Sequence, residues 1–131
     1  MHNKKARMRI IISVIAYNEE DNILSTIADL QSHNFGFDIT VISNGSRDET
    51  VEICGKNNIH CISHCVNTGG SMGTVMTYFL NGYLKSYDIL CQFDGDGQHL
   101  ASELPKIIQP IVDGEADYVI GSRFIDKKGF Q

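Results

Sequence analysis

Residues 89–100 read ILCQFDGDGQHL. An apolar run stops at two carboxylates, Asp94 and Asp96, each followed by glycine. A short apolar run broken by Asp-Gly reads as a buried strand ending in a turn. Residues two apart in an extended segment point the same way, so both carboxylates are expected to meet at one point. Like charges brought together there are unfavourable unless a cation sits between them. Mg²⁺ or Mn²⁺ fits, since it takes hard oxygens from one or two carboxylates and fills its other positions with water or phosphate. Gln98 offers an amide oxygen at the next alternate position. Gly95 and Gly97 leave room for a diphosphate to approach the backbone. A solvated Asp-Gly turn accounts for the same residues without a ligand, and this stretch alone leaves both readings open.

Two other uses of such acids do not fit. A calcium loop of the EF-hand type needs Gly at its sixth position and Glu at its twelfth. Here those positions hold His99 and Pro105. A phospho-acceptor receiver domain would carry an acidic pair after the first strand and a lone Asp after the third, where SHCVN supplies none.

Outward from this stretch, apolar runs alternate with helical patterns. Residues 9–16 (RIIISVIA), 38–43 (DITVIS), 60–64, 87–93 and 117–121 (DYVIG) read as five strands. Between them, Ile23, Leu24, Ile27, Ala28 and Leu30 form a helical stripe with Asn18 as its expected N-cap. Ser46 and Glu49 have capping-box spacing for a helix reaching Lys56. Met72, Val75, Met76, Phe79, Leu80, Tyr83 and Leu84 predict a third helix. Leu104, Ile107, Ile108, Ile111 and Val112 predict a fourth, capped by Ser102, with Pro105 in its first turn and Gly114 as its stop. Strict β/α alternation means a parallel sheet with helices on its faces. Ligands of such sheets bind outside the carboxyl ends of the strands. Each of the clusters YNEED, SNGSRDE, NTGG, DGDGQH and GSRF follows a strand, so the polar chemistry converges on one edge.

Composition sets the outer bounds. The chain has 131 residues, enough for one domain with a real core. Its 42% hydrophobic and 21% charged content is ordinary for a globular protein. A net charge of −5 argues against general nucleic-acid binding. The four cysteines, Cys54, Cys61, Cys65 and Cys91, lack paired zinc-ligand spacing and read as small hydrophobes in a reducing compartment. The basic start, residues 1–8, reads as a tail. The apolar run after it is only about seven residues, too short for a signal peptide core followed by acids or for a membrane span. No transmembrane segment is expected, and the chain reads as cytoplasmic. No repeat, linker or low-complexity stretch is seen.

The succession SVIAYNEEDNI, VISNGSRDET, NTGG, FDGDGQH, ADYVIGSRF resembles family 2 glycosyltransferases of the GT-A fold. Within them it most resembles the polyprenyl-phosphate sugar transferases, the dolichol-phosphate mannose synthase-like branch. The resemblance covers about residues 9–124, and D-x-D-x-Q and G-S-R are its most specific parts. It implies an α/β, Rossmann-like GT-A nucleotide-sugar-binding domain over residues 9–131, a mostly parallel sheet with helices on both faces and with the C-terminal half missing. It implies that Asp94, Asp96 and Gln98 hold Mg²⁺ or Mn²⁺. Ala16, Tyr17, Glu19, Ser43, Asn44, Asp94, Gly95 and Arg123 would contact the nucleotide-sugar donor, Arg123 through its diphosphate. The acceptor would be a polyprenyl phosphate at the cytoplasmic membrane face, and the general base would lie beyond Gln131, leaving these residues alone inactive.

The chain departs from that pattern in places. Ile15 stands where the family usually has proline, and Gly70 where many members carry Lys. The usual Asp-Asp-Gly-Ser after the second strand is Ser43, Asn44, Gly45 and Ser46 here, so neither carboxylate is present. Donor choice then rests on neutral hydrogen bonds, about half as strong as charge-assisted ones. The departures sustain a second reading, a non-catalytic nucleotide- or partner-binding module. A sugar nucleotidyltransferase should show a Gly-rich basic loop after the first strand, and AYNEED is acidic instead. His60 and His64 read as packing or surface histidines. His99, next to the D-x-D-x-Q run, stands between lining the site and plain surface. Met72 and Met76 read as core, and Lys127 and Lys128 as a solvated tail.

Overall fold

The computed structural model describes residues 7–69 and 86–122. The helix expected over Met72 to Leu84 lies outside them, as do Gly70, Arg123, Lys127, Lys128 and most of the basic tail. The elements are β1 (Ile10–Ala16), α1 (Ile23–Ser32), β2 (Asp38–Asn44), α2 (Thr50–Lys56), β3 (Cys61–His64), β4 (Ile89–Asp94) and α3 (Leu104–Val112). They fall into two units, Met1–Ala101 and Ser102–Gln131.

In the first unit, four strands among the described residues pair in the order β3-β2-β1-β4, all parallel. Ile15 of β1 stands opposite Ile42 of β2 on one side and Asp94 of β4 on the other. Ile11, Ile12, Ser13 and Val14 are consecutive and all buried, so both faces of β1 are covered. That explains the unbroken apolar run in the sequence. Each fully buried Ile or Val contributes roughly 1.5–3 kcal/mol, so β1 and β2 form the centre of the core. The chain steps from β1 outward to β2 and β3, then resumes at β4 on the opposite side of β1. The carboxyl ends of β1 and β4 therefore flank the point where strand order reverses, the site such sheets use for ligands.

The helix starts differ from expectation. Asn18 does not cap α1. It sits in the left-handed region (φ 53°), and Asn22 is the N-cap, its side chain donating to Glu19 Oε2 rather than capping the helix. The Glu19 carbonyl accepts from the N–H groups of both Asn22 and Ile23. Likewise α2 begins at Thr50 with Glu49 as N-cap, and Ser46 takes no part in a capping box. Asp48 does that work, its Oδ1 accepting from the Thr50 N–H at 3.0 Å and hydroxyl at 2.5 Å. Both displaced capping residues bond across loops instead, as described below.

In the second unit, α3 follows a single 3-10 turn, Ala101–Glu103, and Glu103 rather than Ser102 is its N-cap. Pro105 lies in its first turn, as expected. Gly114 stops it in the left-handed conformation (φ 73°), with Gly114 N–H donating to Ile111 and Glu115 N–H to the Pro110 carbonyl. The strand expected over 117–121 is not formed. No described strand pairs with it, and Tyr118 and Ile120 are each 71% exposed. An alternating apolar pattern makes a strand only where a neighbour supplies the ladder. At Gly121 a Cβ would lie 2.9 Å from the Ile107 side chain, which places Gly121 itself against α3.

Candidate functional site

All four strands of the sheet deliver residues to one cleft at their carboxyl ends. Its volume is about 370 Å³. Ile15, Tyr17 and Glu19 come from β1 and its loop, Asn44 from β2, Asn67 and Gly69 from the loop after β3, and Asp94, Gly95 and Asp96 from β4. Strand order spreads them along the cleft: the amides of Asn44 and Asn67 at one end, the carboxylates at the other, the β1 residues between.

The acidic end is built on a turn. β4 ends at Asp94, the chain turns at Gly95 and Asp96, and Gly97 is left-handed (φ 79°). The strand alternation that was to align the two carboxylates is thus absent, and the turn brings both to the cleft instead. Gly95 donates its N–H to the Ile15 carbonyl at 2.8 Å. A Cβ at position 95 would stand 3.0 Å from that carbonyl, so β1 itself requires the missing side chain. Gly95 is pinned from above as well, its carbonyl accepting from the Thr26 hydroxyl of α1 at 3.3 Å. Asp96 Oδ1 accepts from the Gln98 N–H at 2.9 Å. His99 folds back on Asp94, with Nε2 3.3 Å from Oδ2 and Nδ1 accepting the Asp94 N–H at 3.2 Å.

The two loops beside β1 lock into each other. Asn18 N–H donates to Ser46 Oγ (3.1 Å) and Arg47 N–H to Asn18 Oδ1 (2.8 Å). Glu19 N–H donates to Thr50 Oγ1 (2.9 Å), Glu20 N–H to Asp48 Oδ2 (3.0 Å) and Glu49 N–H to Glu20 Oε2 (2.9 Å). Partial burial alone would raise the pKa of Asp48. The bonds from the Thr50 hydroxyl, the Thr50 N–H and the Glu20 N–H outweigh it and hold the carboxyl below its usual range. YNEED and SNGSRDE therefore form one rigid ledge, which holds Tyr17 and Glu19 at the cleft.

Of the residues singled out in the sequence, Tyr17, Glu19, Asn44, Asp94, Gly95 and Asp96 border the cleft. Ala16 is buried beneath it. Ser43 is fully buried and donates its hydroxyl to Ser46 Oγ at 2.8 Å. Gln98 is exposed, one step past the turn. Arg123 lies outside the described residues. Asn67 and Gly69 were not singled out, although the rule that strand ends carry the chemistry points to their NTGG cluster. Among the described residues no three His, Cys, Asp or Glu side chains cluster as a metal site. Two carboxylates on a turn suit a hard cation that keeps water and phosphate ligands, and do not suit a closed structural zinc site. The cysteines are free: Cys54 and Cys91 are buried, Cys61 half-buried, and Cys65 exposed.

The family model of glycosyl transferase family 2 matches residues 11–131. The chain belongs to that family. It is 32% identical to the UDP-N-acetylglucosamine–dolichyl-phosphate N-acetylglucosaminyltransferase of Methanococcus voltae, over 93% of this chain and 55% of the relative. Against the undecaprenyl-phosphate mannosyltransferase of Micrococcus luteus the identity is 28%, over 88% of this chain and 49% of the relative. The chain thus spans about half the length of these curated relatives. Among solved structures, glucosyl-3-phosphoglycerate synthase from Mycobacterium tuberculosis, in complex with Mn²⁺, UDP and glucosyl-3-phosphoglycerate, superposes with a TM-score of 0.61 at 22% identity. That match covers 85% of this chain and 42% of the synthase, and it places the sheet in the GT-A fold.

Proposed function

We propose that this family 2 glycosyltransferase chain forms the donor-binding part of an enzyme that moves a sugar from a nucleoside-diphosphate sugar to a polyprenyl phosphate at the cytoplasmic membrane face. One observation carries the reading: hard carboxylates and neutral amides stand at opposite ends of one cleft, at the point where strand order reverses. β2 and β4 flank β1, so the two ends are about 10 Å apart by ordinary strand spacing, a span that suits a nucleoside linked to a diphosphate. The names of the relatives support the donor and acceptor classes. Among the described residues no helix is long and apolar enough to cross a membrane.

In this reading Asp94 and Asp96, with Gln98 beside them, would hold Mg²⁺ or Mn²⁺. The bound ion would supply positive charge against the departing nucleoside diphosphate. The chain's own residues do the rest by positioning. Asn44 and Asn67 face the nucleoside, and Tyr17 and Glu19 line the stretch between. Gly95 keeps the acidic turn against β1, and Arg123 is assigned to the donor diphosphate.

The test is calorimetric titration of UDP and GDP with Mn²⁺, with EDTA, and with the Asp96→Asn variant. Losing one carboxylate from a charge-assisted site should cost about 1.5–3 kcal/mol, roughly ten- to hundredfold in affinity. With neutral amides at the nucleoside end, UDP and GDP should bind within about tenfold of one another. Equal affinity in all three conditions would overturn the metal reading and favour the non-catalytic nucleotide-binding module.

A further inference from the structure

We infer that Asn44 is a positioning residue for nucleoside recognition: its amide clamps the Asn67–Gly69 segment into place as a wall of the cleft. The inference rests on the donor-site reading above and adds to it the residue that sets the nucleoside end. Asn44 is 6% exposed, and its polar atoms are engaged by the segment that follows β3. Its Oδ1 accepts from the Thr68 N–H at 3.1 Å and the Thr68 hydroxyl at 3.2 Å. Its Nδ2 donates to Asn67 Oδ1 at 3.4 Å, and the same Asn67 oxygen accepts the Gly69 N–H at 2.8 Å.

Two backbone groups fix the polarity of both amides. A backbone N–H can only donate. The Thr68 N–H therefore requires oxygen on its side of Asn44, which puts the Asn44 NH₂ toward Asn67. The Gly69 N–H requires Asn67 to present oxygen to it, and that oxygen is the one the Asn44 NH₂ meets. The chain closes only if residue 44 is an amide. An aspartate there would keep the Thr68 contacts but set a carboxylate oxygen against Asn67 Oδ1, two acceptors facing one another. Relieving that contact turns the Asn67 side chain and breaks its bond to Gly69. The neutral residue at this position and Asn67 are thus matched, and the Asn67 NH₂ is left pointing away from the clamp as a donor for the nucleoside.

The experiment compares wild type, Asn44→Asp and Asn67→Ala in three measurements. Amide hydrogen exchange reads the clamp without any ligand: in Asn44→Asp the Gly69 amide should lose protection while the Thr68 amide keeps it. Calorimetry with Mn²⁺ then compares UDP with pyrophosphate. UDP should bind about tenfold more weakly to both variants, and pyrophosphate should be unaffected, because only the nucleoside meets this wall. Asn67 is exposed, so Asn67→Ala gives the answer even if Asn44→Asp unfolds. An unchanged Gly69 amide in Asn44→Asp would overturn the inference, as would equal losses for UDP and pyrophosphate or no loss for either. Failure of wild type to bind UDP while the exchange pattern changes as expected would instead remove the donor-site reading, and with it the role in recognition.

Discussion

His99 holds Asp94 at both of its ring nitrogens. The backbone N–H of Asp94 can only donate, so His99 Nδ1 accepts it at 3.2 Å, while Nε2 stands 3.3 Å from Asp94 Oδ2. Phe93 packs edge-on against the same imidazole at 5.2 Å, fixing its plane. A carboxylate oriented in this way needs no rearrangement to present its other oxygen to the cleft, which is how outer groups tune metal ligands. His99→Phe keeps the ring packing and removes the hydrogen bond to the Asp94 N–H together with the polar contact to its carboxylate. Metal-dependent UDP binding should then weaken roughly two- to tenfold, the worth of one net hydrogen bond at about 0.5–1.5 kcal/mol. Wild-type affinity in this variant, measured with saturating Mn²⁺, would show that Asp94 is oriented without His99.

Asp48 makes the interlocked ledge sensitive to acid. Its folded pKa lies below the ordinary value of 3.8, so its contribution is complete above the unfolded pKa and is lost as pH falls through the folded one. Asp48→Asn would turn an NH₂ toward either the Thr50 or the Glu20 N–H, donor against donor. The variant should unfold at lower urea than wild type at pH 7. The difference should shrink as pH falls below about 4, where the wild-type carboxylate also takes up a proton. A gap that is constant from pH 7 to pH 3 would mean that Asp48 acts through shape rather than charge.

The four thiols should separate by reactivity. Burial pushes the Cys54 thiol up to about 12 and the Cys91 thiol up to about 11, whereas Cys65 is exposed. The thiolate is the nucleophile, so a buried thiol held protonated reacts slowly. A thiol-specific reagent at pH 8 should modify Cys65 quickly, and Cys54 and Cys91 only after unfolding. Mass mapping of the labelled peptides checks the order. Rapid labelling of Cys54 in the folded chain would contradict its burial on the inner face of α2.

What could be read from the sequence follows from what kind of contact each feature depends on. β1, β2 and β4 were legible to within two residues because burial on both faces leaves an unbroken apolar run. The end of β4 at Asp94 was legible because an apolar run stopped by Asp-Gly marks a turn. The strand alternation expected to align Asp94 and Asp96 was not borne out, since the chain already turns at Gly95 and Asp96. The capping roles expected of Asn18 and Ser46 fail because cap-like spacing is local, whereas these two residues bond each other 28 positions apart across two loops. Residues 117–121 carry a strand pattern, yet no described strand offers them an edge. Ser43 and Asn44 are adjacent and both polar, and spacing alone does not say which one reaches the cleft. The role of Asn67 within the NTGG cluster became visible only with the fold, because it lies in meeting Asn44 from the loop after β3.

Gly45 gives the sharpest test of how closely β2 and the segment after β3 approach. Its φ is +74°, a conformation that costs other residues strain, and a Cβ there would lie 2.4 Å from the Asn67 nitrogen and 2.6 Å from the Val66 carbonyl carbon. Both obstacles are backbone, so no rotamer change relieves them. Gly45→Ala should destabilise the chain by about 2–4 kcal/mol, read as a lower urea midpoint with little change in slope. The same displacement should push Asn67 away from Asn44, so UDP affinity should fall in whatever fraction remains folded. Gly55→Ala is the control: nothing lies within 4 Å of a Cβ at that position in α2, and alanine is the better helix former. That variant should match or exceed wild-type stability. Equal stability of the two variants would mean that residues 45 and 67 do not meet as described.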